Sequence, residues 1–225
     1  NNPMAIILGY TDMLLEKTEE NSKEHKILKT IERQGNNCKR IVENLMSFAR
    51  MPEGVQYDTD VNRNIELVLE VVQNTLLTKK IEYELALGEN LPRVRGDAGQ
   101  LQQVFMNLLT NAVKAMPNGG KLAITTRLHQ AGDKVEVRIT DNGEGIKREH
   151  LSKIFDPFFT TRKVGEGTGL GLSVSYAIIS KFGGNIYCAS KSKEEYGEGQ
   201  SGSTFTVTLP VIASPGGRNE QSEKA

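Results

Sequence analysis

Apolar positions near the start of the chain recur at helical spacing. Met4, Leu8, Thr11 and Leu15 share one stripe, with Ile7 and Leu14 beside it, and predict a helix from Met4 to about Thr18. Pro3 suits the first helical position, where its missing N–H costs nothing. Thr18–Ser22 is polar and reads as a short link. From Lys23 to Arg50, the residues Ile27, Ile31, Gln34, Cys38, Ile41, Leu45 and Phe48 step alternately by four and three. That is a heptad seam with Gln34 as one polar interruption. Two helices joined by a short link form an antiparallel hairpin, which cannot enclose a core alone. The seam therefore needs a partner, either a second copy of the hairpin or the chain's own second domain.

Pro52-Glu53-Gly54 breaks this pattern, and residues 52–60 read as a linker between a hairpin over 1–51 and a domain over 61–212. Ile65, Val68, Leu69, Val72 and Leu76 mark a helix. Ile81, Tyr83, Leu85 and Leu87 alternate as a strand. Leu101, Val104, Phe105, Leu108, Leu109 and Ala112 mark another helix. Lys121–Leu128 and Lys134–Thr140 read as strands joined by a turn at Ala131-Gly132-Asp133. Leu172–Phe182 is helical, capped by Gly183-Gly184. Asn185–Ser190 and Ser203–Leu209 close the domain as strands. Strands pairing locally, with helices on one face, give an α+β fold: a helical hairpin followed by an α/β sandwich. The polar tail 213–225 is expected to be disordered.

Composition narrows the function classes. The 225 residues are 37% hydrophobic and 25% charged, enough for a buried core. Lys and Arg number 28, as do Asp and Glu. That balance gives no electrostatic reason to expect nucleic acid or an acidic membrane as partner. No run of about 18 apolar residues would span a bilayer, and no signal peptide opens the chain. Cys38 and Cys188 cannot frame disulfides or a zinc site by themselves. A cytoplasmic setting is expected. The start at Asn1-Asn2-Pro3 reads as part of a longer protein.

Four segments carry candidate chemistry. Asn107 and Asn111 lie four apart on one helix face beside Leu108, Leu109 and Ala112. Half-buried amides need partners. Either they bridge within the protein, or their oxygens are hard, neutral ligands for Mg²⁺ that also holds phosphate. Lys114 shares the face and can meet a phosphate. Asp141-Asn142-Gly143-Glu144-Gly145 follows a strand. It is either a plain turn or a carboxylate placed to accept from the exocyclic amine of adenine, where guanine would present a repelling carbonyl. Gly165–Gly171 opens a helix. It is either a flexible loop or an anion site built from backbone amides; it is neither a P-loop nor a Rossmann fingerprint. Phe155, Phe158 and Phe159 around Pro157 form a hydrophobic latch, followed by Arg162 and Lys163. The latch is either a buried loop with solvated cations or a hinged lid over a nucleotide. His25, His129 and His150 show no catalytic arrangement.

In this order the segments resemble the catalytic core of bacterial sensor histidine kinases. Asn107–Ala112 resembles the N box, Asp141-x-Gly143-x-Gly145 the G1 box, and Phe155-x-Pro157-Phe158-Phe159 the F box. Gly167–Leu172 resembles the G2 box and Gly202-Ser203-Thr204-Phe205 the last glycine box. Pro157–Thr161 with a following cation is similar to the nitrogen-regulation subgroup. The resemblance implies a sandwich of the Bergerat (GHKL) type that binds ATP and Mg²⁺, on a hairpin that makes a homodimer through residues 1–51. It implies Asn111 on Mg²⁺ with Asn107 alongside, and Lys114 at phosphate. Asp141 would sit at the adenine amine, with Gly143, Gly145, Ile146 and Thr204 around the ring. Gly167, Thr168, Gly169, Leu170, Gly171 and Leu172 would lie on the phosphates beneath a lid carrying Phe155, Thr160, Arg162 and Lys163. The implied partner is the receiver domain of a response regulator; a membrane would enter only through an upstream sensor region.

The family's phosphoacceptor motif reads His-Glu-x-x-Asn-Pro, and only Asn2-Pro3 match it here. The His would lie three residues before Asn1 and the acid two before. Asn2 matches a position that in related kinases positions water for dephosphorylating the regulator. A chain without that His is expected to bind ATP and not to phosphorylate itself. The rivals are another ATPase or serine kinase of the same fold, which needs no dimerising hairpin, and a nucleotide-binding pseudokinase scaffold.

Overall fold

The computed structural model describes residues 3–49, 58–162, 167–197 and 199–212. The expected linker over 52–60 lies mostly outside these residues, and the expected tail lies wholly outside them. Two compact units divide the chain: Asn1–Gly54 with Ile154–Val174, and Val55–Lys153 with Ser175–Ala225.

In the first unit, α1 (Pro3–Glu16) begins at the proline, and α2 (Lys23–Ala49) returns beside it. Met4, Leu8 and Leu15 are half-buried and Thr11 is buried, so the expected inner stripe of α1 is present. On α2 the inner position is Gly35, which is buried; a Cβ there would stand 2.7 Å from Leu8 Cδ2. Of the seam, Ile27, Ile31, Gln34 and Cys38 are exposed. The side chains of Ile41, Leu45 and Phe48 lie outside the described residues. Ile6, Ile7, Tyr10, Met13 and Leu14 of α1 are exposed as well. The hairpin therefore closes on one stripe and leaves two others bare.

In the second unit, helices start where aspartates cap them. Asp60 Oδ1 accepts the Arg63 N–H before α3 (Val61–Thr78). Asp97 Oδ1 does the same for Gln100 before α4 (Ala98–Ala115). Each such cap contributes about 1 kcal/mol. Two-residue strands β1 (Asp58–Thr59) and β3 (Val94–Arg95) pair antiparallel. They are too short to show periodicity in sequence.

The main sheet holds β2 (Ile81–Leu87), β4 (Gly120–Leu128), β5 (Lys134–Asp141), β6 (Asn185–Lys191) and β7 (Gly202–Pro210), in the order β2-β4-β5-β7-β6. Local pairing holds for β4–β5 and β6–β7. It fails elsewhere: β2 and β4 run parallel because α4 crosses over between them, and β7 enters between β5 and β6. Leu122, Ile124, Val135, Val137, Ile139, Val207 and Leu209 are buried, as are Ile65, Leu76, Leu101, Phe105, Leu108 and Leu109 of α3 and α4. α5 (Gly171–Lys181) and the short α6 (Lys193–Tyr196) complete the elements. Gly183 ends α5 at φ +75°. No helix among the described residues is long and apolar enough to cross a membrane.

Candidate nucleotide-binding site

Asp141 is the last residue of β5. Its cross-strand partners are Leu122 in β4 and Ser203 in β7. It is 4% exposed. Its Oδ1 accepts the Gly143 N–H at 2.9 Å, and the backbone N–H of Ser203 donates to the same carboxyl. Burial pushes this carboxyl up to about 6, against the pull of those two N–H donors. An ionised carboxylate offers about four lone-pair directions, so two donors leave it able to accept from a ligand.

The loop after Asp141 is fixed residue by residue. Asn142 Oδ1 accepts the Lys121 N–H at 2.7 Å, and the Asn142 N–H donates to the Lys121 carbonyl at 3.2 Å. The Glu144 N–H donates to the Ala115 carbonyl, at the end of α4, at 3.0 Å. Gly145 has φ +68°, and a Cβ there would overlap the Lys191 carbonyl oxygen. Only glycine meets both conditions. The Ile146 N–H donates to Ser190 Oγ at 2.8 Å. Thr204 Oγ1 lies 3.0 Å from Thr140 Oγ1 in the neighbouring strand.

On α4, Asn107 and Asn111 are both half-buried, as their four-residue spacing predicts. Asn107 Nδ2 donates to Ser175 Oγ at 3.3 Å, and Ser175 is fully buried. The Asn111 side chain makes no hydrogen bond among the described residues. Lys114 is exposed in the last turn.

The second unit thus holds Asn107, Asn111, Lys114, Asp141, Gly143, Gly145, Ile146 and Thr204. Phe155, Thr160, Arg162 and Gly167–Leu172 belong to the other. Lys163 and Asn2 lie outside the described residues.

Within its own unit, the segment from Phe155 is shaped by a clasp. The Phe158 N–H donates to the Gly169 carbonyl at 3.0 Å. Both residues have positive φ, +67° and +65°. A Cβ on Gly169 would overlap the Phe158 backbone. Thr160 Oγ1 accepts the Arg162 N–H at 3.2 Å, and a Cβ on Gly167 would lie 3.3 Å from that same oxygen. Thr168 Oγ1 accepts the Leu170 N–H at 3.4 Å, one turn before α5. The phenylalanine motif and the glycine motif are therefore one folded piece.

Sequence reasoning did not find Ser175 or Ser190. A serine inside a helix or at a strand end carries no local signal; helix packing brings Ser175 to Asn107, and strand register brings Ser190 beside Ser203.

The family model described as "Histidine kinase-, DNA gyrase B-, and HSP90-like ATPase" matches residues 96–213. The one described as "His Kinase A (phospho-acceptor) domain" matches residues 1–54. Sensor kinase CckA of Brucella abortus (strain 2308) is 36% identical over 229 residues, covering 94% of this chain and 23% of that protein. Sensor histidine kinase ZraS of Escherichia coli (strain K12) is 31% identical over 210 residues, covering 93% of this chain and 43% of that protein. The chain thus spans less than half the length of either relative. Among solved structures, the histidine kinase ThkA in complex with the response regulator protein TrrA aligns with TM-score 0.66 at 25% identity, covering 94% of this chain and 58% of that one. With the ATPase match running over more than half its length, the chain belongs to the histidine kinase-, DNA gyrase B- and HSP90-like ATPase family.

Proposed function

We propose that this core binds Mg²⁺-ATP in the second unit, with Asp141 reading the adenine. The γ-phosphoryl group then passes to a histidine of the hairpin motif and on to an aspartate of a response regulator's receiver domain. The observation that carries this reading is the buried Asp141 carboxyl with acceptor capacity to spare, beside a loop whose glycines let backbone approach closely. A ligand N–H donor satisfies it; a carbonyl does not.

Asn111 supports the metal assignment, because its half-buried amide has no protein partner among the described residues. Its oxygen would hold Mg²⁺, whose charge offsets that of the phosphates. Asn107, fixed by Ser175, stands one turn away on the same face. Lys114 supplies a cation to phosphate; backbone N–H groups of the kind found at the start of a helix are anion-binding donors.

In the first transfer, the bond from γ-phosphorus to the ADP oxygen breaks as one to imidazole nitrogen forms, and the imidazole proton leaves to a neighbouring base. The motif position of that histidine precedes Asn1. In the second transfer, the P–N bond gives way to a bond with a carboxylate oxygen. The bare stripes with Ile27 and Ile31 support a homodimer through residues 1–51, and ThkA's complex with TrrA supports a receiver-domain partner. The working partition is a hairpin over 1–51 and an ATP-binding domain over 61–212.

Competition between ATP and GTP tests the reading. ATP is expected to displace a fluorescent adenine nucleotide, and GTP to fail, because guanine turns a carbonyl toward Asp141. Equal displacement by both would remove the adenine assignment.

A further inference from the structure

Ser190 belongs to none of the motifs above, yet three parts of the adenine side converge on its hydroxyl. We infer that Ser190 is a positioning residue for adenine recognition: its hydroxyl ties the Gly143–Ile146 loop to the end of β7 and so holds the Asp141 carboxylate in place. The inference deepens the ATP reading and rests on it.

The geometry follows from register. Asp141, Ser203 and Ser190 form one row across the ends of β5, β7 and β6. Ser190 Oγ accepts the Ile146 N–H at 2.8 Å. It lies 2.8 Å from the Gly202 carbonyl oxygen and 2.9 Å from Ser203 Oγ. A hydroxyl has one proton and two lone pairs. Ser190 therefore donates to Gly202, accepts from Ile146, and accepts from Ser203, so every bonding capacity is used. The carbonyl it binds precedes the peptide N–H of Ser203 that donates to Asp141. One side chain thus fixes both flanks of the carboxylate: the strand supplying one N–H donor and the far end of the loop supplying the other.

The surroundings leave no slack to replace it. Gly145 rests directly on the Lys191 carbonyl. The Lys193 N–H donates to the Glu144 carbonyl at 2.7 Å, and Lys147 Nζ meets Glu194 Oε2 at 2.6 Å. The segment from Ser190 to Glu194 is thus a strap along the loop, and the Ser190 side chain is bonded to both the loop and β7. Without the hydroxyl, the half-buried Ile146 N–H and Gly202 carbonyl lose this partner, and the loop shifts to find others.

A ligand lacking the exocyclic amine isolates this effect. ATP and purine riboside 5′-triphosphate share ribose and phosphates but differ at the group that Asp141 accepts. Their dissociation constants are measured by calorimetry for the full chain, Ser190→Ala and Ser190→Thr. The Ala variant is expected to bind ATP about three- to tenfold more weakly, the loss of one or so net hydrogen bonds. Its affinity for the purine riboside nucleotide is expected to stay within about twofold of wild type. Ser190→Thr keeps the hydroxyl and is expected to keep the preference for ATP, which also tests the idea should the Ala variant not fold. Equal losses for both nucleotides, no loss for either, or a folded Thr variant without the preference would overturn the inference. A wild type that binds both nucleotides alike would instead sink the adenine reading beneath it.

Discussion

The hairpin and the ATP-binding unit treat apolar side chains in opposite ways. In the second unit, Leu76, Leu101, Phe105, Val135 and Leu209 are fully enclosed by the unit's own elements. In the hairpin, seven large apolar residues of α1 and α2 are exposed among the described residues, Tyr10 by 66% and Ile31 by 41%. Two helices bury one stripe each and no more. The nucleotide site thus rests on a core complete in one chain, whereas the hairpin leaves apolar stripes that the proposed homodimer would cover. On that proposal, binding ATP and forming dimers are separable properties.

Charging the bare stripe puts that separation under the heaviest load. Ile27→Glu with Ile31→Glu should turn dimers into monomers, weakening association at least a hundredfold. Four desolvated side chains per dimer, each worth about 1.5–3 kcal/mol, are replaced by like charges. Sedimentation reads the change, and ATP affinity should not move. A dimer that survives would mean the stripe is not its interface.

Core truncation probes the two regions from inside. Phe105 is fully buried, and Phe105→Ala should cost the ATP-binding unit about 3–5 kcal/mol in denaturant unfolding. Half-buried Leu8 in the hairpin should lose no more than about 2 kcal/mol as Leu8→Ala, less than the full-burial cost. Equal losses would erase the distinction between the two regions.

Asp141 makes the second unit sensitive to pH. Its carboxyl is raised from 3.8 to about 6, so the folded state holds the proton more tightly than the unfolded chain does. Stability therefore falls as pH rises from about 4 to about 6, then levels off. The whole fall is up to about 3 kcal/mol, at about 1.4 kcal/mol for each pH unit between the unfolded and folded values. Nucleotide-free unfolding curves across that window should show the fall, and Asp141→Asn should flatten it. A rise in wild-type stability over the same window would contradict the assigned environment.

Much of this was legible in sequence, for definite reasons. α1, α2, α3, α4 and α5 announce themselves through apolar spacing. Asn107, Asn111 and Asp141 stand out as amides on an apolar face and a carboxylate beside glycines; each also has a plain structural use, and only the order of the motifs ties them to Phe158 and Gly169. The sheet order was not legible. β7 slips between β5 and β6, and no periodicity encodes which strand lies beside which. That order alone makes neighbours of Asp141, Ser203 and Ser190. One missed element did carry a signal: Ser192 three residues before Glu195 is a capping box, and Ser192 Oγ accepts the Glu195 N–H at 3.3 Å to start α6.

Whether Asp141 reads adenine is decided by calorimetric titration of ATP into wild type and Asp141→Asn near pH 7.5, with unfolding curves showing both folded. Replacing the carboxylate removes a charge-assisted hydrogen bond worth about 1.5–3 kcal/mol, so the variant should bind ATP roughly ten- to a hundredfold more weakly. An Asp141→Asn protein that is folded and binds ATP as tightly as wild type would contradict the adenine assignment.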